Sequence, residues 1–159
     1  MIIVDKLYKW FNGIQVLKGI STTFKPGKTS LIIGQSGSGK TVFLKSLIGL
    51  HSPESGTISF NGGINTEFTT EQKRQWRQEI GMVFQGSALF DSQTVQDNVM
   101  FPLKMFKKQP EEQMLERVNL ENSNSKYPAE LYGGMQKRVA IARAIVMNPK
   151  YLFCDEPNS

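Results

Sequence analysis

The chain has 159 residues, 39% of them hydrophobic, which is enough for one domain with its own core, and a single cysteine, Cys154. That cysteine count excludes an internal disulfide framework, no residues have zinc-ligand spacing, and no stretch approaches the ~20 apolar residues of a membrane span, so a reducing cytosolic setting fits. Nineteen Lys and Arg against fourteen Asp and Glu leave a formal charge of +5. The basic residues lie in separate groups such as Lys73, Arg74 and Arg77, or Lys104, Lys107 and Lys108. They lack the interleaved aromatics of a nucleic-acid stacking platform, and read as solvated faces.

In chain order, Ile2 to Tyr8, Ile14 to Lys18 and Ile20 to Phe24 are short β-rich segments. The turn signals Asn12-Gly13 and Pro26-Gly27 punctuate them, as in an antiparallel flap. The apolar run Ser30-Leu31-Ile32-Ile33 reads as a strand leading into Gly34-Gln35-Ser36-Gly37-Ser38-Gly39-Lys40-Thr41, which fits G-x-x-x-x-G-K-S/T at every fixed position. Val42, Leu44, Leu47 and Ile48 recur at helical spacing behind it, so strand, loop and helix agree. Thr57 to Phe60 is a further short strand, Thr70 to Glu79 a polar helix, and Ile80 to Phe84 a buried strand ending at Gln85.

From Gly86 to Tyr132 the pattern turns helical. Thr94-x-x-Asp97 forms a capping box, Pro110-Glu111-Glu112 a second helix start, and Glu121 to Lys126 a linker. Met135 to Met147 resumes helical periodicity until Pro149. Tyr151-Leu152-Phe153-Cys154 is then a short apolar strand, with Cys154 read as core, that delivers Asp155 and Glu156 at its carboxyl end.

The glycine-rich run carries the chemistry. Gly34, Gly37 and Gly39 tolerate positive φ and close approach, so loop amides can turn inward on a triphosphate. Lys40 would reach the β/γ-phosphates, and Thr41 would offer its hydroxyl to Mg²⁺ at a helix start whose dipole favours anions. Asp155 can hold the same Mg²⁺ and Glu156 can polarise a water, while Gln85 offers a neutral amide to metal or water. Leu131-Tyr132-Gly133-Gly134-Met135-Gln136 opens a second anion-favouring helix. One nucleotide does not need two such cradles in one subunit, so the second serves the ATP of another copy.

With these residues in this order, the chain resembles the ATP-binding cassette (ABC) ATPases along essentially its whole length. GQSGSGKT matches the first nucleotide motif, Gln85 the glutamine loop, LYGGMQ the signature and YLFCDEP the second motif with its catalytic glutamate, here Glu156. Phe11, ahead of Asn12-Gly13, matches the aromatic that stacks on adenine. The resemblance implies an α/β fold, a P-loop NTPase (RecA-like) three-layer core with an antiparallel β flap and an inserted α-helical subdomain. Residues 1–85 would form flap and core, 86–134 the helical subdomain and 135–159 the return to core. It implies Mg²⁺-dependent ATP hydrolysis with Lys40, Gln85 and Glu156 in catalysis and Thr41, Gln85 and Asp155 at the metal. Gly34 to Thr41, Phe11 and Tyr132 to Gln136 would hold nucleotide, the last group across a head-to-tail dimer of cassettes.

Within the family, Phe84 to Ser92 with Val95, Asn98, Val99, Pro102 and Met135 is similar to the ATPase of Mla/Mce-type phospholipid transporters. That implies a transmembrane permease, an Mce-type lipid-binding subunit, no nucleic-acid partner, and a cytoplasmic location on the inner face of the inner membrane. Leu89, Phe90, Phe101 and Phe106 fall where the family's permease docks. The alternatives are a cassette serving another importer or exporter, or a fragment that binds without turnover.

Three features depart from the family pattern. The sequence ends at Ser159 before the aspartate loop and switch histidine, so the domain is expected to be incomplete at its C terminus and turnover by this stretch alone is in question. The only histidine, His51, reads as an exposed loop residue. Tyr132 stands where the family has a serine, and Met105 to Asn124 is shorter than in relatives.

Overall fold

The computed structural model describes residues 1–106 and 123–155. The chain divides into two compact units, Met1–Gln75 and Trp76–Ser159. The helix start expected at Pro110 lies outside the described residues.

In the first unit, β1 (Ile2–Phe11), β2 (Ile14–Phe24), β3 (Ser55–Phe60) and β4 (Gly63–Ile64) form an antiparallel sheet in the order β2-β1-β3-β4. The β1–β2 hairpin closes on Asn12 and Gly13, both at positive φ (48° and 79°), as a tight primed turn requires. The second and third segments predicted from the sequence are one strand, β2. Gly19 does not break it: at φ 75° it makes a register shift, and a Cβ there would meet the Tyr8 hydroxyl at 2.6 Å.

The helix α1 (Lys40–Leu47) packs against β2, with Phe43 tilted against Phe24 at 6.4 Å between ring centroids. Leu7, Leu17, Leu47 and Ile58 are fully buried. The strand predicted at Ser30–Ile33 does not form. Neither sheet includes it, and Leu31 and Ile33 are 85% and 82% exposed. An apolar segment becomes a strand only through ladder hydrogen bonds to a neighbour, which sequence pattern cannot supply.

The helix α2 (Thr70–Gln78) begins on a reciprocal cap: Gln72 N–H donates to Thr69 Oγ1 (3.2 Å) and Thr69 N–H to Gln72 Oε1 (2.9 Å). The unit boundary falls within this helix.

In the second unit, β5 (Ile80–Val83) pairs in parallel with β6 (Tyr151–Cys154). The helix α3 (Val95–Phe106) starts on Thr94, whose hydroxyl accepts from Asp97 N–H (3.1 Å) and donates to Asp97 Oδ2 (2.8 Å). The helix α4 (Gly133–Ile145) packs on α3 and β5, closing a core around Val95, Val99, Leu103, Val139 and Ala142.

Cys154 is not core. Strand alternation turns Phe153 and Asp155 inward, leaving Leu152 and Cys154 exposed on the other face.

Candidate functional site

The phosphate-loop pattern folds as a cradle. Gly37 and Gly39 take φ of 77° and 95°, conformations that cost a side-chain-bearing residue dearly. Gly34 is a correction: it is not at positive φ, and its requirement is space, because a Cβ would meet Ser38 Oγ at 2.7 Å. A Cβ on Gly39 would meet Val16 Cγ1 at 3.0 Å, so β2 also presses the loop into shape. Ser38 N–H donates to the Gln35 carbonyl (3.2 Å), tightening the bend that contains Ser36. Lys40 Nζ donates to the carbonyls of Gly34 (2.9 Å) and Gln35 (3.0 Å), folded over the loop's mouth. Thr41 follows in the first turn of α1, next to the dipole's positive end. A cradle shaped by glycine, a lysine at its mouth and a hydroxyl behind it fit a Mg²⁺-bound polyphosphate.

Phe11 closes β1 and is 38% exposed. Lys9 Nζ lies 5.1 Å from its ring centroid and His51 meets it edge-on at 5.2 Å. Lys9 is itself fixed by Glu54 Oε1 (2.6 Å) and the Ser52 carbonyl (2.8 Å), which makes the Phe11 platform a built feature rather than a loose loop end.

His51 is therefore half-buried, not the exposed loop residue predicted. Burial, then the Lys45 and Lys9 charges, hold its imidazole below its ordinary pKa of 6.5. The folded state thus prefers neutral His51, and the unfolded chain binds the proton more readily. This contribution to stability is complete above pH ~6.5 and is lost as the pH falls through the lowered folded value. Thermal melts at pH 7.5 and 5.5 are expected to differ less in His51→Gln than in the parent.

In the second unit the parallel pair sets its two candidate metal residues on one edge. Gln85 follows β5 and is exposed; Asp155 follows β6, is 3% exposed, and donates its N–H to the Val83 carbonyl (2.9 Å). Both leave the carboxyl ends of parallel strands, where α/β sheets place ligands. Glu156 lies outside the described residues. Among the described residues no three His, Cys, Asp or Glu cluster as a metal site. A carboxylate and a neutral amide are both oxygen donors of the kind Mg²⁺ accepts.

The signature segment divides by direction. Tyr132 is 84% exposed, and a Cβ on Gly133 or Gly134 would meet nothing within 4 Å. These three form an open, outward-facing helix start. Met135 instead packs on the core, and Gln136 Nε2 donates to the carbonyls of Pro128 (2.9 Å) and Leu131 (3.4 Å), tying down the turn before α4.

Two residues organise the segment after Gln85: Asn98, which the sequence marks only through the subfamily resemblance, and Arg143, which it does not mark. Asn98 is fully buried; its side chain accepts from Phe90 N–H (2.8 Å) and donates to the carbonyls of Phe90, Gln93 and Thr94. Arg143 donates to the carbonyls of Ser87 (3.0 Å) and Ala88 (2.9 Å), and burial lowers its guanidinium pKa from the ordinary value. The available signal was a lone arginine between the buried Ala142 and Ala144.

The chain matches the ABC transporter family model over residues 17–159. It is 39% identical to the probable ribonucleotide transport ATP-binding protein mkl of Mycobacterium tuberculosis, over 98% of this chain and 45% of that protein. It is 42% identical to the L-cystine transport system ATP-binding protein TcyN of Escherichia coli, over 98% of this chain and 67% of that protein. The chain thus spans about half the length of mkl and two thirds of TcyN. The dimeric structure of MJ0796, a bacterial ABC transporter cassette, superposes with a TM-score of 0.88 at 30% identity, covering 99% of this chain and 74% of that one. Motif order, cradle geometry, family match and fold agree, and the chain belongs to the ABC transporter family as part of its ATP-binding cassette.

Proposed function

We propose that the chain is the ATP-binding and ATP-hydrolysing subunit of an ABC transporter. The observation that carries this is the Gly34–Thr41 loop, with its left-handed glycines and Lys40 at its mouth. In this reading Phe11 stacks on adenine, the loop amides and Lys40 hold the phosphates, and Thr41, Gln85 and Asp155 set the Mg²⁺, which would neutralise phosphate charge. Glu156 acts as general base, orienting a water and taking its proton. Tyr132, Gly133 and Gly134, open and outward-facing, face the nucleotide of a second cassette, with Met135 and Gln136 supporting them from behind.

Residues 1–85 serve as flap and nucleotide core, 86–134 as the helical subdomain and 135–159 as the return to core. In the second unit, a groove of about 270 Å³ lined by Arg77, Met82, Phe84, Phe90, Phe101 and Phe106 supports a permease partner, since aromatic and arginine side chains are those that interfaces favour. No described helix is long and apolar enough to cross a membrane, and a permease would hold the subunit at the inner face of the inner membrane.

The cargo we propose is phospholipid, with an Mce-type lipid-binding partner. The resemblance of Phe84 to Ser92, Asn98, Pro102 and Met135 to that subfamily supports it. Purifying the full-length protein with its permease and identifying the bound cargo tests this. Recovered amino acids or nucleotides, the cargoes in the relatives' names, would replace the lipid reading. For the chemistry, Glu156→Gln in the full-length protein is expected to keep MgATP affinity while phosphate release falls by about 10²- to 10⁴-fold, the usual worth of a general base. Turnover at the parent rate would remove Glu156 from the mechanism.

A further inference from the structure

The turn that follows Gln85 is held in an unfavourable conformation by a charge delivered from α4. Gly86, Ser87 and Ala88 take φ of 71°, 65° and 45° in succession. Glycine accepts such angles freely, whereas serine and alanine place Cβ against their own carbonyls there. Ser87 N–H closes back on the Phe84 carbonyl (3.2 Å) and Ala88 N–H on the Gly86 carbonyl (2.8 Å). The Ser87 and Ala88 carbonyls meet one guanidinium. Arg143 Nη2 donates to both, at 3.0 and 2.9 Å, while Nη1 reaches Asn98 Oδ1 at 3.5 Å and the guanidinium carbon stands 5.5 Å from the centroid of the Phe90 ring. Ser87 is buried, so its carbonyl has little water as a substitute partner.

We infer that Arg143 is a positioning residue for the ATPase reaction: by capturing the Ser87 and Ala88 carbonyls it maintains the left-handed turn that fixes Gln85 at the carboxyl end of β5. This rests on the reading of Gln85 as a metal- and water-facing residue. Arginine suits the task because its planar fork serves two acceptors at once, which a lysine ammonium on a flexible stem does less rigidly. The arrangement also links α4, which begins at the signature glycines, to the glutamine turn within one unit.

The test uses full-length protein with Arg143→Lys and Arg143→Met, alone and combined with Ala88→Gly. Amide hydrogen exchange over residues 85–89 is expected to quicken about tenfold in both single variants, as local opening becomes easier. MgATP affinity is expected to stay within about twofold while kcat falls about 10- to 100-fold, the scale of a misplaced group. Ala88→Gly, which removes one Cβ penalty from the turn, is expected to restore part of kcat in the Arg143→Lys background. Unchanged exchange in a folded Arg143→Lys variant, or loss of affinity in proportion to kcat without glycine rescue, overturns the proposal. If the parent releases no phosphate, the functional reading fails instead, and the exchange measurement alone decides whether Arg143 holds the turn.

Discussion

Lys40→Ala is expected to weaken MgATP binding by at least about 10- to 100-fold. The ammonium's donors, now on the Gly34 and Gln35 carbonyls at 2.9 and 3.0 Å, are the ones a β- or γ-phosphate oxygen would accept. Each hydrogen bond to a charged group is worth about 1.5–3 kcal/mol, and every ~1.4 kcal/mol is a factor of ten in affinity. Alanine also unties the loop mouth, an effect that could loosen the cradle without touching phosphate. Lys40→Met, which keeps the apolar stem, separates the two by retaining packing while losing charge. Titration with a fluorescent ATP analogue in the presence of Mg²⁺ measures the effect. Parent-like affinity in Lys40→Ala would mean that the cradle holds no triphosphate, whatever its resemblance.

Asn98→Leu is expected to destabilise the protein by about 3 kcal/mol, because the Phe90 N–H and the Gln93 carbonyl lose the side-chain amide that serves them, while the Phe90 and Thr94 carbonyls keep only their backbone partners, Gln93 N–H and Asn98 N–H. Each buried polar group left unsatisfied costs about 1–3 kcal/mol, and leucine adds a branched shape at a position with no exposure. Van der Waals gain from the new methyl groups works in the opposite direction but cannot hydrogen-bond the Phe90 N–H. At this chain length a kcal/mol is worth about 2–4 °C, so a fall in Tm near 10 °C by circular dichroism is the expected reading. A shift under about 2 °C would show that water or a rearranged Gln93 replaces the network. The functional consequence is indirect: Asn98 ties Phe90 to Thr94, the stretch between the Gln85 turn and α3.

The features legible from residue order are those decided within a few positions. The helix start at Thr94 is read from an oxygen-bearing side chain placed three residues before a polar partner, and the hairpin at Asn12-Gly13 from two residues that tolerate positive φ. The phosphate loop is legible for the same reason at Gly37 and Gly39, whereas Gly34, equally without a Cβ, is required by the nearness of Ser38 Oγ and not by its φ. The strands β5 and β6 were each readable as a short apolar run ending at a polar group, but their parallel pairing was not.

What distance in sequence hides is which segment finds a partner. Leu31 and Ile33 look like strand residues and are nearly fully exposed, because a ladder depends on a neighbour elsewhere in the chain. Cys154 and Phe153 are both apolar, and only the covered face of the sheet tells core from surface. Arg143 reaches across 55 and 56 positions to the Ala88 and Ser87 carbonyls, and no periodicity announces that a backbone turn will need a cation. Local conformational preference is a property of one residue and its neighbours, so the string of letters carries it. Burial and hydrogen-bond partnership are properties of pairs far apart in the chain, and they exist only once the chain has folded.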